Sequence, residues 1–252
     1  MRADEAALGM LVRLGRCGDV ARIAKSTGHD FVFIDVQHGI FNLETIAHIA
    51  STALEIGVAP VVRVRGVDDP DVSMLLDNGV TSIVFPDVND ADAARRAVQT
   101  CRFPPRGRRS VGGAMPQFDY RAIPTNELVT VLDATTLVVC MIETVEALNN
   151  VEAIAAVDGV DVVHVGSNDL LLDMGKPGQF DHPDLVSAQQ RVIEAAKSHG
   201  KFSGCGGNRN IERQAEVIRR GVRFVTTQTD VAFIMAAGRQ WVDGVRGQTG
   251  KG

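Results

Sequence analysis

Aromatic side chains are scarce in this sequence, which has one tryptophan and one tyrosine and is 5% aromatic over 252 residues. Hydrophobic residues still make up 45% of the chain. The core must therefore be built mainly from aliphatic side chains. The length suits one large domain, and about 250 residues is the usual size of an α/β barrel.

An excess of positive charge and long apolar runs are also missing. The formal net charge is -5 at pH 7, which argues against a nucleic-acid partner because phosphates require clustered cations. The one basic stretch, residues 103–109, is a single loop, and such runs are usually solvated. No run approaches the ~18 apolar residues of a membrane span, and the first residues lack a signal-peptide layout. We expect a cytoplasmic protein that binds neither nucleic acid nor a membrane.

The four cysteines form no CxxC pair, and no cysteine/histidine cluster has the spacing of a zinc site. Cys140 lies within an apolar run, where a reduced thiol acts as a small hydrophobic side chain. The sequence therefore gives no sign of a zinc centre.

Short apolar runs alternate with helical periodicity along the whole chain. Leu43, Ile46, Ala47, Ala50 and Leu54, for example, share one face of a helix. Eight such strand–helix pairs predict a single-domain α/β protein, a (β/α)8 TIM barrel over residues 1–252. The predicted strands are 8–12, 31–35, 60–64, 82–85, 137–142, 162–165, 201–204 and 223–226.

Several residues mark predicted helix ends. Asp69 is predicted to cap a helix with Pro70 at its first position, and Gly79 to end that helix. Thr144 is predicted to cap another helix. Residues 103–124 and 176–183 are longer than ordinary connections, and we interpret them as lids or subunit contacts.

A doubly wound open sheet is the main alternative fold. Such a sheet usually has a GxGxxG turn after its first strand, and residues 13–18 lack that spacing. Residues 204–207, Gly-Cys-Gly-Gly, could approach a phosphate, although a flexible turn is the simpler interpretation.

Polar residues follow several predicted strands. Asp35 and His38 follow the second strand, Arg63 ends the third, Glu143 the fifth, and Asp169 follows the sixth. In a parallel barrel these strand ends meet at one rim, where active sites are built. Each residue alone has an ordinary structural explanation, such as a helix cap or a core ion pair. Two acids with no lysine beside them suggest a hard divalent cation held by oxygen ligands.

Six motifs in this order resemble the HpcH/HpaI family of class II pyruvate aldolases, also called hydroxyketoacid aldolases. The resemblance covers roughly residues 8–235. The motifs are Phe33-Ile34-Asp35-Val36-Gln37-His38-Gly39, Pro60-Val61-Val62-Arg63, Leu75-Leu76-Asp77-Asn78-Gly79, Phe103-Pro104-Pro105-Arg106-Gly107, Ile142-Glu143-Thr144 and Gly166-Ser167-Asn168-Asp169-Leu170.

The resemblance implies roles for the rim residues. Glu143 and Asp169 match ligands of Mg²⁺, Mn²⁺ or Co²⁺, which a 2-oxoacid would chelate through its keto and carboxylate oxygens. Arg63 matches the arginine that stabilises the enolate oxygen. His38 matches the acid–base histidine, and Asp35 the aspartate that orients it.

The segment from Gly166 to Asp169 matches the part of the family that binds the substrate carboxylate. Free N–H groups at a helix start attract anions, which gives an independent reason for that role. Asp77 matches an aspartate that reaches the active site of a neighbouring subunit. The resemblance also implies a homo-hexamer, a trimer of dimers, with an exchange of the last helix between partners.

The sequence departs from the common family pattern in two places. Gln37 replaces a glutamate before the histidine, which removes a negative charge near the metal and could alter how its waters are held. Ser167 and Asn168 replace Pro-Ala, so we hypothesise a donor pocket that accepts hydroxypyruvate beside pyruvate.

We therefore expect a class II aldolase that reversibly splits 4-hydroxy-2-oxoacids into a 2-oxoacid and an aldehyde. No Schiff-base lysine is needed in this chemistry. Two alternatives remain open at this point. One is another metal lyase on the same barrel, such as a citryl-ester lyase. The other is a barrel that binds a 2-oxoacid without turnover.

Overall fold

The computed structural model of the protein describes residue 1 and residues 4–249. The parts of the predicted domain that fall on residues 2–3 and 250–252 lie outside the described residues. Within the described part, eight parallel strands form a closed barrel in chain order, and β8 pairs with β1. The predicted (β/α)8 barrel is confirmed. The strands are β1 (Ala7–Val12), β2 (Phe31–Asp35), β3 (Ala59–Arg63), β4 (Ser82–Phe85), β5 (Leu137–Ile142), β6 (Val162–Gly166), β7 (Phe202–Gly206) and β8 (Phe224–Thr229).

Helices surround the barrel and connect each strand to the next. The α-helices in the described part are α1 (Asp19–Ser26), α2 (Leu43–Glu55), α3 (Val72–Asp77), α4 (Ala91–Cys101), α5 (Thr125–Thr135), α6 (Val145–Asn149), α7 (Val151–Ala155), α8 (Ser167–Asp173), α9 (Pro183–Ser198), α10 (Ile211–Arg220) and α11 (Asp230–Thr249). A short 3₁₀ helix, Pro116–Phe118, lies between α4 and α5.

The side chains of each strand alternate between two apolar layers, as the pleat of a strand requires. Val32, Ile34 and Cys140 pack outward against the helices in an aliphatic layer. The barrel interior contains more aromatic side chains, and there Phe31 stacks on Phe224 with ring centroids 4.5 Å apart. Phe31, Phe33 and Phe224 belong to this interior cluster, whereas most other aromatic residues lie outside it.

One predicted helix start is wrong. Helix α3 begins at Val72 after Asp71, not after Asp69 and Pro70. The Asp69 carboxylate instead accepts hydrogen bonds from the backbone N–H groups of Arg65 and Asp71, 3.0 Å each, and so closes a turn before the helix. The other two predicted ends are confirmed, because Asn78 and Gly79 follow α3 and the Thr144 hydroxyl accepts the Ala147 N–H.

The long segment 103–124 follows α4 and precedes α5, so it lies at the amino ends of the strands. A lid over the cavity of the same chain is therefore the wrong interpretation of this segment, and a subunit contact stays a prediction. Segment 176–183 follows α8 and ends at the first residue of α9, on the carboxyl side of the barrel. Among the described residues, no helix is both long and apolar enough to cross a membrane.

Candidate active site

A cavity of about 410 Å³ opens at the carboxyl ends of the strands. No lysine lines it among the described residues, which agrees with chemistry that needs no Schiff base. The structure brings six of the predicted site residues together at its wall: His38, Arg63, Gly166, Ser167, Asn168 and Asp169.

Arg63 is held at the wall by a buried ion pair with Asp35. Its Nε donates to Asp35 Oδ1 at 2.9 Å, and its Nη2 donates to Asp35 Oδ2 at 2.8 Å. Arg13 adds a third bond, from Nε to Oδ2 at 2.7 Å. Although burial acts to raise it, the pKa of Asp35 is lowered by Arg63 and Arg13. Asp35 therefore stays ionised, and its position depends on both arginines.

The remaining Arg63 nitrogen is available to a substrate. The only hydrogen bond of Nη1 among the described residues is a long one to the sulfur of Met141, at 4.0 Å. A buried guanidinium with one uncommitted nitrogen at a cavity wall is a preorganised donor for an anionic oxygen.

His38 lies at the mouth of the cavity and is exposed. Its backbone N–H donates to Asp35 Oδ1 at 3.3 Å. The described residues contain no hydrogen bond between the Asp35 carboxylate and the His38 ring, because the two arginines occupy that carboxylate. The predicted orientation of the ring by Asp35 stays a prediction.

Glu143 is 3% exposed and directly follows β5; it lies against the cavity residue Gly166 but is not itself in the cavity lining. Its Oε1 accepts the backbone N–H of Asp87 at 2.8 Å, whereas its Oε2 is buried without a hydrogen-bond partner. Burial raises the pKa of Glu143 to about 7, the negative charges of Asp87 and Asp169 act in the same direction, and Arg63 opposes them. A buried carboxylate oxygen without a partner is costly unless a cation or donor approaches it.

Gly166 makes room for this carboxylate. A Cβ on Gly166 would lie 2.6 Å from Glu143 Oε2, closer than real side chains approach. Glu143 and the exposed Asp169 therefore fit a divalent cation on the chemistry of their oxygens. No group of three or more His, Cys, Asp or Glu side chains in the described part is placed to hold a metal ion. Water and substrate oxygens would have to complete the coordination.

The predicted substrate-binding residues differ in their surroundings. Asn168 is exposed at the cavity wall. The Ser167 hydroxyl is buried and lies 3.6 Å from the sulfur of Cys205. Gln37 is half-buried and is not among the residues that line the cavity, and its Oε1 is buried without a partner in the described residues. Their roles toward substrate stay predictions.

Asp77 is not part of this cavity. It ends α3, which runs back to the amino ends of the strands, and its Oδ1 accepts from Arg109 Nη2 at 2.7 Å. Asp77 therefore lies at the opposite end of the barrel from Arg63. Only a neighbouring subunit could present it to an active site, as the resemblance implies.

Sequence reasoning missed four residues at or near the cavity. Arg13 follows β1 and Asp87 follows β4, so the strand-end rule that found Arg63 could have found both. His164 is two residues after Val162 in β6, so both side chains point into the barrel, and this alternation could have found His164. Arg209 lies in the loop after Gly206 and Gly207, and no sequence pattern pointed to it. Arg13, His164 and Arg209 line the cavity, and Asp87 holds Glu143.

The fold and the site define an enzyme of the (β/α)8 class, with paired acids and a preorganised arginine at the carboxyl rim. Residues 10–237 match the HpcH/HpaI aldolase/citrate lyase family. The chain belongs to this family, and it is an aldolase, a carbon–carbon lyase.

Individual relatives agree with this assignment. A 4-hydroxy-4-methyl-2-oxoglutarate aldolase of Hapsidospora irregularis, tasA, is 39% identical over 84% of this chain and 80% of the relative. A hydroxypyruvate/pyruvate aldolase of Cupriavidus necator is 34% identical over 91% of this chain and 84% of the relative. The crystal structure of an HpcH/HpaI aldolase from Desulfitobacterium hafniense superposes with a TM-score of 0.92 at 29% identity, covering 97% of this chain and 94% of that one.

Proposed function

We propose that the protein is a divalent-metal-dependent aldolase that reversibly cleaves 4-hydroxy-2-oxoacids into pyruvate or hydroxypyruvate and an aldehyde. The names of the relatives from Hapsidospora irregularis and Cupriavidus necator support this substrate class. The observation that carries the proposal is the unpaired Glu143 Oε2, which lies near Asp169 in the same site as the uncommitted Nη1 of Arg63.

Glu143 and Asp169 would hold the cation, which we propose to be Mg²⁺, Mn²⁺ or Co²⁺. When bound, such an ion supplies Lewis-acid polarisation of the substrate keto group. The buried position of Glu143 suits this role, because coordination to a cation would offset the cost of a buried carboxylate oxygen that otherwise has no partner.

Arg63 supplies the second stabilising group. Removal of a proton beside a ketone places negative charge on the keto oxygen, and Nη1 of Arg63 is the donor available to that oxygen. The bidentate pair with Asp35 fixes the guanidinium before the charge develops, so little reorganisation is needed. Loss of one such donor often costs about 10²–10³ in rate.

His38 would move the protons. A histidine is suited to this task because its reference pKa near 6.5 is close to the working pH. Its exposed position at the mouth of the cavity allows exchange with water. The backbone from Gly166 to Asn168 and the exposed Asn168 amide would bind the donor, with Asn168 as the polar group for the hydroxyl of hydroxypyruvate.

We further propose a homo-hexamer, a trimer of dimers, in which Asp77 of one subunit approaches the site of another. Helix α11 supports an exchanged or docked last helix, because it carries exposed apolar side chains that include Ile234, Trp241 and Val245. Such exposure is unusual for a monomer and typical of an interface. The cytoplasmic location stays a prediction.

Deuterium exchange tests the proposed enolisation without knowledge of the aldehyde. The protein would be incubated with pyruvate, and separately with hydroxypyruvate, in D₂O with Mg²⁺, Mn²⁺ or excess EDTA. Loss of the C3 proton signal would be followed by NMR after removal of the metal. We expect metal-dependent exchange that Glu143→Ala abolishes. Absence of exchange from folded, metal-supplemented wild-type protein would contradict the proposal.

A further inference from the structure

Charges around the cavity are divided between two arcs of the rim. The acids Asp87, Glu143 and Asp169 follow β4, β5 and β6. Arg13 follows β1, and Arg209 lies in the loop after β7, so these two arginines flank β8 on the other side. The acidic arc contains the candidate cation site. The candidate cation site gives no role to the two arginines of the basic arc.

Arg13 is fixed on the basic arc by two carboxylates. Its Nε donates to Asp35 Oδ2 at 2.7 Å, and its backbone N–H donates to Asp230 Oδ1 at 3.1 Å. Asp230 also accepts the N–H groups of Leu14 and Gly15 at 2.9 and 2.8 Å. The terminal nitrogens of Arg13 make no hydrogen bond within the described part of the chain, and Arg13 is one of the residues that line the cavity.

Arg209 has no carboxylate partner among the described residues. Its Nη1 donates to the neutral Gln228 Oε1 at 2.7 Å. Arg13 and Arg209 line the same cavity. Partial burial of the guanidinium and the positive charges of Arg13 and Arg63 lower the pKa of Arg209, while Asp35 acts to raise it. Asp35 is already shared by Arg63 and Arg13. On this side of the rim Arg13, Arg63 and Arg209 thus outnumber the two carboxylates, Asp35 and Asp230, by one positive charge, which an anion would offset.

The donor substrate leaves this surplus unused. In the proposed function, the keto oxygen of the donor would accept a hydrogen bond from Arg63. The carboxylate of the donor would be bound by the cation and by the backbone from Gly166 to Asn168. The new carbon–carbon bond forms at C3, at the other end of the donor from that carboxylate. A cavity of about 410 Å³ holds a short acceptor beside a three-carbon donor.

We propose that Arg209, together with Arg13, binds an anionic group on the acceptor, so that the aldehyde substrate carries a carboxylate or a phosphate. This inference rests on the proposed function and names its acceptor class. Arg209 is the residue expected to determine specificity, because Arg13 is already tied to Asp35 and Asp230.

The test compares anionic acceptors with neutral acceptors of similar size, with pyruvate as donor. Succinic semialdehyde is paired with butanal, and glyceraldehyde 3-phosphate with glyceraldehyde. The readout is kcat/KM for aldol addition in each pair. We expect the wild-type protein to favour at least one anionic acceptor by tenfold or more, and the favoured pair identifies carboxylate or phosphate.

Substitutions at Arg209 link this preference to one side chain. A charge-assisted hydrogen bond predicts that Arg209→Gln lowers the anionic-to-neutral ratio by about tenfold to a hundredfold. Arg209→Glu should reverse the preference. Arg219→Gln is the matched control, because Arg219 is exposed in the last turn of α10, at the amino end of the barrel, and should leave the ratio unchanged.

Two results would overturn the inference while the proposed function stands. One is wild-type protein that exchanges the pyruvate C3 protons but shows no preference for either anionic acceptor. The other is Arg209→Gln that raises the KM for pyruvate in the exchange reaction and leaves the acceptor ratio unchanged. That outcome would assign Arg209 to the donor, because its loop adjoins Asn168 through Gly207. Wild-type protein without exchange would overturn both proposals.

Discussion

Arg63 and Asp35 form a buried, two-point ion pair, with Nε–Oδ1 and Nη2–Oδ2 distances of 2.9 and 2.8 Å. The pair joins the ends of β3 and β2, whose last residues lie opposite each other in the sheet. Within the described residues it leaves Nη1 of Arg63 with no partner but the sulfur of Met141. The position of Arg63 at the cavity wall therefore depends on a carboxylate that does not itself line the cavity.

Asp35→Asn should lower both stability and activity. The substitution removes the charge that two guanidinium groups share and places an amide N–H₂ group against their donors. Removal of one partner of a buried ion pair lowers the free energy of unfolding by about 3–5 kcal/mol. A displaced Arg63 should also slow C3 proton exchange about 10²-fold. Urea unfolding at one fixed protein concentration and the D₂O exchange assay measure the two effects.

Asp68→Asn is the matched control for this substitution. Asp68 pairs with Arg96 at 3.2 Å on the surface, where such pairs contribute at most about 1 kcal/mol. Equal costs for the two variants would show that the buried pair is not what holds Arg63.

The barrel and most of the rim could be predicted from sequence because they depend on local signals. Apolar runs placed the strands, and the convergence of parallel strand ends brought His38, Arg63, Glu143 and Asp169 to one region. The partners of Asp35 could not be predicted in this way. They depend on side-chain rotamers across three neighbouring strands, and sequence spacing does not encode those contacts.

His164 and the glycines of β7 show the same limit. Residues 204–207 suggested a turn or a phosphate loop, yet Gly204 and Gly206 lie within β7. A Cβ on Gly204 would lie 2.4 Å from His164 Nδ1, and one on Gly206 would lie 2.8 Å from Nε2. These glycines therefore make room for an imidazole on the adjacent strand. Only the register between β6 and β7 reveals that relation.

Glu143→Gln should abolish stabilisation by metal. A ligand that binds only the folded state stabilises it by about 2.7 kcal/mol at a concentration one hundred times its dissociation constant. Mn²⁺ should therefore raise the melting temperature of the wild-type protein, and the amide variant, which lacks the charged ligand, should show little change. Thermal unfolding with and without Mn²⁺ measures the difference.

Glu146→Gln is the control for nonspecific metal effects, because Glu146 is exposed in the first turn of α6 and only three residues away. It should respond to Mn²⁺ as the wild-type protein does. An equal response of Glu143→Gln and Glu146→Gln would remove Glu143 from the metal site.

His164 should make the protein sensitive to acid. Complete burial and the charge of Arg63 lower the pKa of His164 to about 3, and its Nδ1 has no partner in the described residues. The unfolded chain binds a proton near the ordinary value of about 6.5, so it binds more protons than the folded state below that pH. Folding stability should therefore fall by about 1.4 kcal/mol per pH unit between pH 6.5 and 3 from this group alone.

The variant His164→Asn should flatten this part of the stability profile. The free energy of unfolding would be measured by urea titration between pH 6.5 and 4.5 for the wild-type protein, for His164→Asn, and for His48→Asn as an exposed control. His48→Asn should follow the wild-type profile. If His164→Asn loses stability in acid as steeply as the wild-type protein, the buried histidine is not the cause.

Trp241 should mark the subunit interface that we propose for α11. It is 75% exposed in one chain and shares a helical face with Ile234, Gly238 and Val245, a spacing that predicts a continuous contact surface. A buried interface tryptophan typically contributes about 2 kcal/mol or more, roughly a thirtyfold change in dissociation constant. Trp241→Glu should therefore shift the protein to a smaller assembly in light scattering, whereas Arg239→Glu, on the opposite side of the helix, should not.

Because Trp241 is the one tryptophan of the chain, its emission should also move to longer wavelength on dilution of the wild-type protein. A wild-type mass equal to one chain at all concentrations would exclude the interface.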